Sequence, residues 1–285
     1  MDRLKKIEEG FFRVLMFCST VLIAITLFLI IFSILYKGLP SISWEMISQV
    51  PKGGFYFGKE GGILNAIVGS LYLSFGSTFL AAIFGLPLAL FMNVHLIRHK
   101  KLVNGIRYVL DLLWGVPSIV YGAFGFAIMV YLGIRASLLA GIITVTLFII
   151  PIMVRSIDEV LKPVPRGLLE ASLSLGSTRS ETSYRVFFKQ TLPGIITAVM
   201  LSFGRAIGDA ASILFTAGYT DYIPTSLHQQ TATLPLSIFF QLSSPIPEVQ
   251  QRAYASALVL IFIILVISIL SRLLTRKYQR NQINF

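Results

Sequence analysis

Two charges at membrane depth are the first chemistry this chain offers. The stretch 203–218 reads FGRAIGDAASILFTAG, uncharged apart from Arg205 and Asp209. A charge placed there costs about 2.5–3.5 kcal/mol on insertion scales, so such residues face the bundle interior, pair, or line a pathway. The i,i+4 spacing predicts that both share one helix face. Arginine suits an oxyanion, because its planar fork donates two parallel hydrogen bonds. An Arg205–Asp209 ion pair could pin helices, or could hold Arg205 until an anion competes for it. Small neighbours, among them Gly208 and Ser212, keep the wall narrow. Arg205, Asp209, Gly208 and Ser212 are therefore the expected substrate-pathway residues, with Asp111 a further candidate partner.

Other candidate motifs carry less. Gly53 to Lys59 has the G-x-x-x-x-G-K skeleton of a phosphate-cradling loop. Glu60 stands where the magnesium-holding Ser or Thr belongs, its carboxylate repels phosphate, and no strand signal precedes it. No ATPase chemistry is expected from this chain. His95 and His99 are four apart, but beside Arg98, Lys100 and Lys101 they read as a basic loop rather than a metal site. The single cysteine, Cys18, lies in the first apolar run and rules out a disulfide framework.

The elements that must position Arg205 are membrane helices. Of the 285 residues, 55% are hydrophobic and 13% charged, against about a quarter charged in soluble chains. Mean hydropathy is +0.79. Hydropathy predicts six spans, 11–36, 63–94, 106–132, 137–154, 194–218 and 254–274. The first is too long for a cleaved signal and has no small-residue cleavage site after it. It can cross about 30 Å of hydrocarbon. Between the spans, 18 of the 24 lysines and arginines fall on one side and five on the other, with Arg205 inside a span. The positive-inside rule puts both termini and the loop 155–193 in the cytoplasm. It also accounts for the net charge of +11 without nucleic acid.

Pro87, Pro117 and Pro151 interrupt the spans, which is tolerated where neighbours or a cavity satisfy the freed backbone. Gly69, Gly76, Gly122 and Gly125 offer surfaces for close helix packing. The external segment 219–251, rich in proline, is expected to make short helices and turns that face a partner or cap the pore. This divides the chain into a cytoplasmic N-terminus (1–10), a first helix with an external segment (11–62), a core (63–274) and a cytoplasmic tail (275–285).

One polar, basic stretch, 170–193, sits between long apolar segments. Pro163 and Pro165 end the helix before it. Apolar spacing predicts a short amphipathic helix over 168–175, stopped at Gly176. Thr178 and Glu181 have capping-box spacing for a second helix. Pro193 suits the first turn of the next. The product is a helix–turn–helix protrusion on the cytoplasmic side.

Glu170-Ala171, Gly176 and Leu192-Pro193-Gly194 resemble the EAA loop of ABC-importer permeases, with Ser172 in place of the second alanine. The stretch around Arg205 resembles GRAxGETAPLLFTAG of PstA-type phosphate permeases, with Asp209 for glutamate and Ser212 for proline. The likeness extends to 65–70, 116–122 and 234–238.

The resemblance implies an all-α polytopic protein of the bacterial inner membrane, with the type I importer permease fold. It implies a coupling helix docked on an ATPase, with Glu170, Ala171, Leu173, Leu175, Gly176, Leu192 and Pro193 as coupling residues. It implies a heterodimer with a PstC-type permease, two PstB-type ATP-binding subunits and an external phosphate-binding protein. ATP and magnesium would be used by those partners, with no cofactor and no catalytic residue in this chain. Arg205 would meet the phosphate anion transiently. The alternatives are a sulfate or molybdate importer, an ATP-independent anion transporter, and a scaffold or sensor that moves nothing.

Overall fold

The computed structural model of the chain describes residues 2–52 and 60–279. It is helical almost throughout. Helix α1 (Asp2–Gly38) leads to α2 (Trp44–Ser48), whose N-terminus is capped by Ser43. Strands β1 (Pro51–Lys52) and β2 (Glu60–Gly61) pair antiparallel over two residues each. The phosphate-loop look-alike at 53–59 lies outside the described residues. The short strand β1 before it, unexpected from sequence, pairs antiparallel with β2 and does not feed a parallel sheet.

Helix α3 (Leu64–Leu90) widens into a π turn at Phe91–His95. Helices α4 (Lys100–Gly115) and α5 (Ser118–Leu132) follow, then α6 (Leu138–Leu161). Two short helices come next, α7 (Arg166–Ser174) and α8 (Arg179–Thr182). A second π turn, Ser183–Phe187, leads to α9 (Phe188–Gly208), and α10 (Leu234–Leu242) and α11 (Pro247–Gln279) complete the chain. Among the described residues, five helices are long and apolar enough to cross a membrane, or six if the bent pair α4–α5 counts as one span.

That pair fills the expected third span, interrupted at Pro117 as the sequence indicates. Its two halves meet at 93°. Pro117 disfavours helical geometry at the residue before it, and Val116 is extended. The Tyr121 hydroxyl donates to the Leu113 carbonyl at 2.9 Å, satisfying one end of the break.

The fifth span is shorter than the sequence predicts. Helix α9 stops at Gly208 instead of running to 218, and Asp209 is extended. Gly204 and Gly208 weaken the last turns, since glycine costs about 1 kcal/mol against alanine in a helix. The irregular backbone that follows is satisfied inside the protein. The Leu138 and Leu139 N–H groups, which α6 leaves unpaired at its start, donate to the carbonyls of Gln229 and Leu227 at 2.8 Å each. The Ser137 N–H reaches the Thr216 carbonyl at 3.0 Å. The Asn65 amide donates to the Thr220 carbonyl at 2.7 Å. Non-helical backbone at membrane depth survives only with such partners.

Helix α6 is the core element. Of its apolar window, 72% is buried, and it packs on α3, α4, α5 and α9. By contrast, none of the apolar window of α1 is buried within the chain, and α1 packs mainly against α11. Of the four glycines expected to allow close helix packing, Gly76 and Gly125 do so, while Gly69 and Gly122 admit irregular backbone. Gly69 abuts Ala232, Gly76 Ile142, Gly122 Ser212 and Gly125 Thr144. At Gly69 a methyl group would run straight into the Ala232 carbonyl.

Pro193 does not open a helix. It is the sixth residue of α9 and is buried. The capping box upstream starts the helical run early, and the π turn carries it on. The carbonyl that the ring leaves without a donor belongs to Lys189, an exposed residue.

Candidate functional site

Arg205 lies in the last turn of α9, where a cation complements the negative end of the helix dipole. Its guanidinium sits 5.2 Å from the centre of the Phe148 ring on α6. It forms no ion pair with Asp209 among the described residues. Because α9 ends between them, the two do not share a helix face. Asp209 instead accepts the Ser212 N–H at 2.8 Å and shapes the turn after the helix. Asp111 is engaged elsewhere, with Arg155.

Arg205 is exposed in the single chain and lines a cavity of about 630 Å³ between α9 and α11. Arg272 and Arg276 line the same cavity, and no acidic residue does. The space is therefore electropositive, with Thr197, Ser268, Ser271 and Thr275 as polar neighbours. Of the other expected pathway residues, Gly208 is exposed with open space around it, Asp209 is half-buried, and Ser212 is fully buried.

The protrusion is built as the sequence indicates. Helix α7 follows Pro165, Gly176 turns the chain at φ +84°, and Thr178 caps α8. Thr178 Oγ1 accepts the Glu181 N–H, and the Glu181 carboxylate accepts the Thr178 N–H at 2.9 Å. Ser172 shares a 2.9 Å hydrogen bond with Thr182 and staples α7 to α8. The serine in the alanine place thus finds a buried partner.

The coupling candidates separate by position. Glu170, Ala171, Leu175 and Gly176 are exposed at the tip, Leu175 at 87%. Leu173 turns inward against the core, while Leu192 is half-buried and Pro193 buried in α9.

Sequence reasoning missed the best-connected polar cluster. Asp158, on α6, is fully buried. Its carboxylate receives two bonds from Arg107 on α4, both at 2.9 Å, one from Arg155 at 2.8 Å and one from Asn93 in the first π turn at 2.8 Å. Arg155 also bonds Asp111 and Glu159. The first π turn reaches the protrusion as well, because Arg179 donates to the Val94 and His95 carbonyls at 3.1 Å each. The missed signal was the spacing of Arg155, Asp158, Glu159 and Lys162 at i,i+3 and i,i+4. Hydropathy ended the span at 154, so these residues were assigned to a loop, whereas α6 continues to Leu161.

Comparison with known proteins bears on this arrangement. The family described as "Binding-protein-dependent transport system inner membrane component" matches residues 85–281. The phosphate transport system permease protein PstA of Pasteurella multocida is 32% identical over 247 residues, 86% of each chain. The probable PstA of Methanocaldococcus jannaschii is 32% identical over 268 residues, covering 93% of this chain and 92% of that protein. Among solved structures, a chain of the inward-facing MetNI methionine ABC transporter superposes with a TM-score of 0.64 at 20% identity, covering 76% of this chain and 95% of that one. An amino acid ABC transporter solved with histidines gives 0.56 at 19% identity, covering 75% and 93%. The fold is the helical permease fold of type I ABC importers. By the span of the family match and the identity to these relatives, the chain belongs to the binding-protein-dependent transport system inner membrane components.

Proposed function

We propose that this chain is the permease subunit of an ATP-driven importer of inorganic phosphate. The observation that carries this reading is the exposed Arg205 in an acid-free, arginine-lined cavity, in a chain 32% identical to PstA permeases over most of its length. A soluble binding protein delivers the anion, a PstC-type permease completes the pore, and two PstB-type ATPases hold the protrusions. Both termini are cytoplasmic. The chain binds no cofactor of its own, and ATP and magnesium act on the partners. ATP-driven association of the ATPases shifts the pore outward by its differential affinity for that state. Arg205 then admits phosphate without trapping it, as conduction requires. Labelled-phosphate uptake into vesicles holding the whole assembly tests this. Uptake that needs ATP and resists competition by sulfate and molybdate supports it; equal competition, or uptake without ATP, overturns it.

The exposed tip of α7 supports docking of an ATPase. A buried leucine is worth about 1.5–3 kcal/mol, and Leu175 has that surface to give. Leu175→Asp is expected to lower co-purification of the ATPase about tenfold while leaving thermal stability unchanged, since the Leu175 side chain is almost fully exposed. Undiminished co-purification would reject the docking role.

A further inference from the structure

A second cavity, of about 250 Å³, lies at the other end of the bundle, beside the protrusion. Four cations line it: Lys100 and Arg107 on α4, Lys162 at the end of α6, and Arg166, the first residue of α7. None of its lining residues is acidic, and Asn93 and Asn104 add polar groups.

The four cations are not equally committed. Arg107 is held by Asp158, and Lys162 by Glu159 at 2.6 Å and Asp158 at 3.6 Å. Lys100 and Arg166 have no hydrogen bond or ion pair among the described residues. In addition, no side chain caps the N-terminus of α4, which begins at this cavity. Two uncommitted charges and two further cations thus line one half-open space at the uncapped start of α4.

We infer that this cavity binds a phosphate-bearing anion, which bridges α4 to the first residue of the coupling helix. Its size sets the class. Small-molecule pockets run to about 300–1,000 Å³, so this one lies at the small end, where one phosphate group with a short headgroup fits. Guanidinium and ammonium groups are the partners such a group takes. Basic pockets between membrane helices on the cytoplasmic side suit acidic lipid headgroups. Free phosphate has the same chemistry. An occupant here would brace α7 against α4 and α6, and so set how freely the protrusion moves. The binding does not depend on what the chain transports.

The full-length chain in lipid nanodiscs tests the site. In one arm, discs of phosphatidylcholine alone are compared with an equal mixture of phosphatidylcholine and phosphatidylglycerol. In the other, inorganic phosphate is added to phosphatidylcholine discs, with chloride at matched ionic strength as control. The wild-type chain is expected to melt higher with phosphatidylglycerol, with phosphate, or with both. The responding arm names the source. The double variant Lys100→Gln, Arg166→Gln is expected to melt as wild type in phosphatidylcholine. It should bind the responding anion about 25-fold more weakly, at roughly fivefold per cation removed. Asn104→Asp, which sets a carboxylate in the lining, is expected to weaken binding too and serves if the double variant does not fold. Failure of both arms, or responses unchanged in the variants, overturns the inference.

Discussion

Asp158→Ala is expected to be the most damaging single substitution outside the membrane-facing surfaces. It removes the one carboxylate shared by Arg107 and Arg155, whose side chains are only 23% and 15% exposed. Breaking a buried ion pair by deleting one partner costs about 3–5 kcal/mol, because the remaining charge is left without compensation. Here Arg107 would lose its carboxylate partner while Arg155 keeps Asp111 and Glu159, and the Asn93 amide would keep only the Ala89 carbonyl as acceptor. The damage should reach the protrusion, because Asn93 belongs to the π turn whose end receives Arg179. Thermal unfolding in detergent should show a large loss of stability. The double variant Asp158→Ala, Arg107→Met should recover part of it, since replacing both members of a buried pair by apolar groups is often neutral. A melting temperature unmoved by Asp158→Ala would show that the cluster holds nothing together.

This cluster also marks where sequence reading stopped. Hydropathy averages over windows, so it located α1, α3, α6 and α11 to within a few turns. It could not see that α6 carries a buried carboxylate past the apolar run, because the partners Arg107 and Asn93 come from 51 and 65 residues away. The protrusion was legible for the opposite reason. Proline, a positive-φ glycine and a capping box act over a few residues, and the structure contains all three between Pro165 and Glu181. Pro193 misled because its preference for a first helical turn is local, whereas the helix around it is set by the cap fifteen residues earlier.

The Arg205–Asp209 spacing misled in a related way. An i,i+4 pair faces together only if the helix continues, and Gly208 with the extended Asp209 ends it. Asp209 pairs with backbone, so Arg205 is left with an aromatic ring and open space.

That geometry sharpens what Arg205 should do. Hydrogen bonds to a charged group are worth about 1.5–3 kcal/mol, so Arg205→Ala should cut phosphate uptake about ten- to a hundredfold. ATPase co-purification and melting temperature should stay near wild type, because the side chain makes no hydrogen bond or ion pair among the described residues. Arg205→Lys keeps the charge and loses the fork, and should fall between the two. A purely structural role predicts a different result: uptake falls only in step with stability, and lysine restores neither. Uptake unaffected by Arg205→Ala would remove the residue from the pathway and leave Arg272 and Arg276, in the same cavity, as the charges to test.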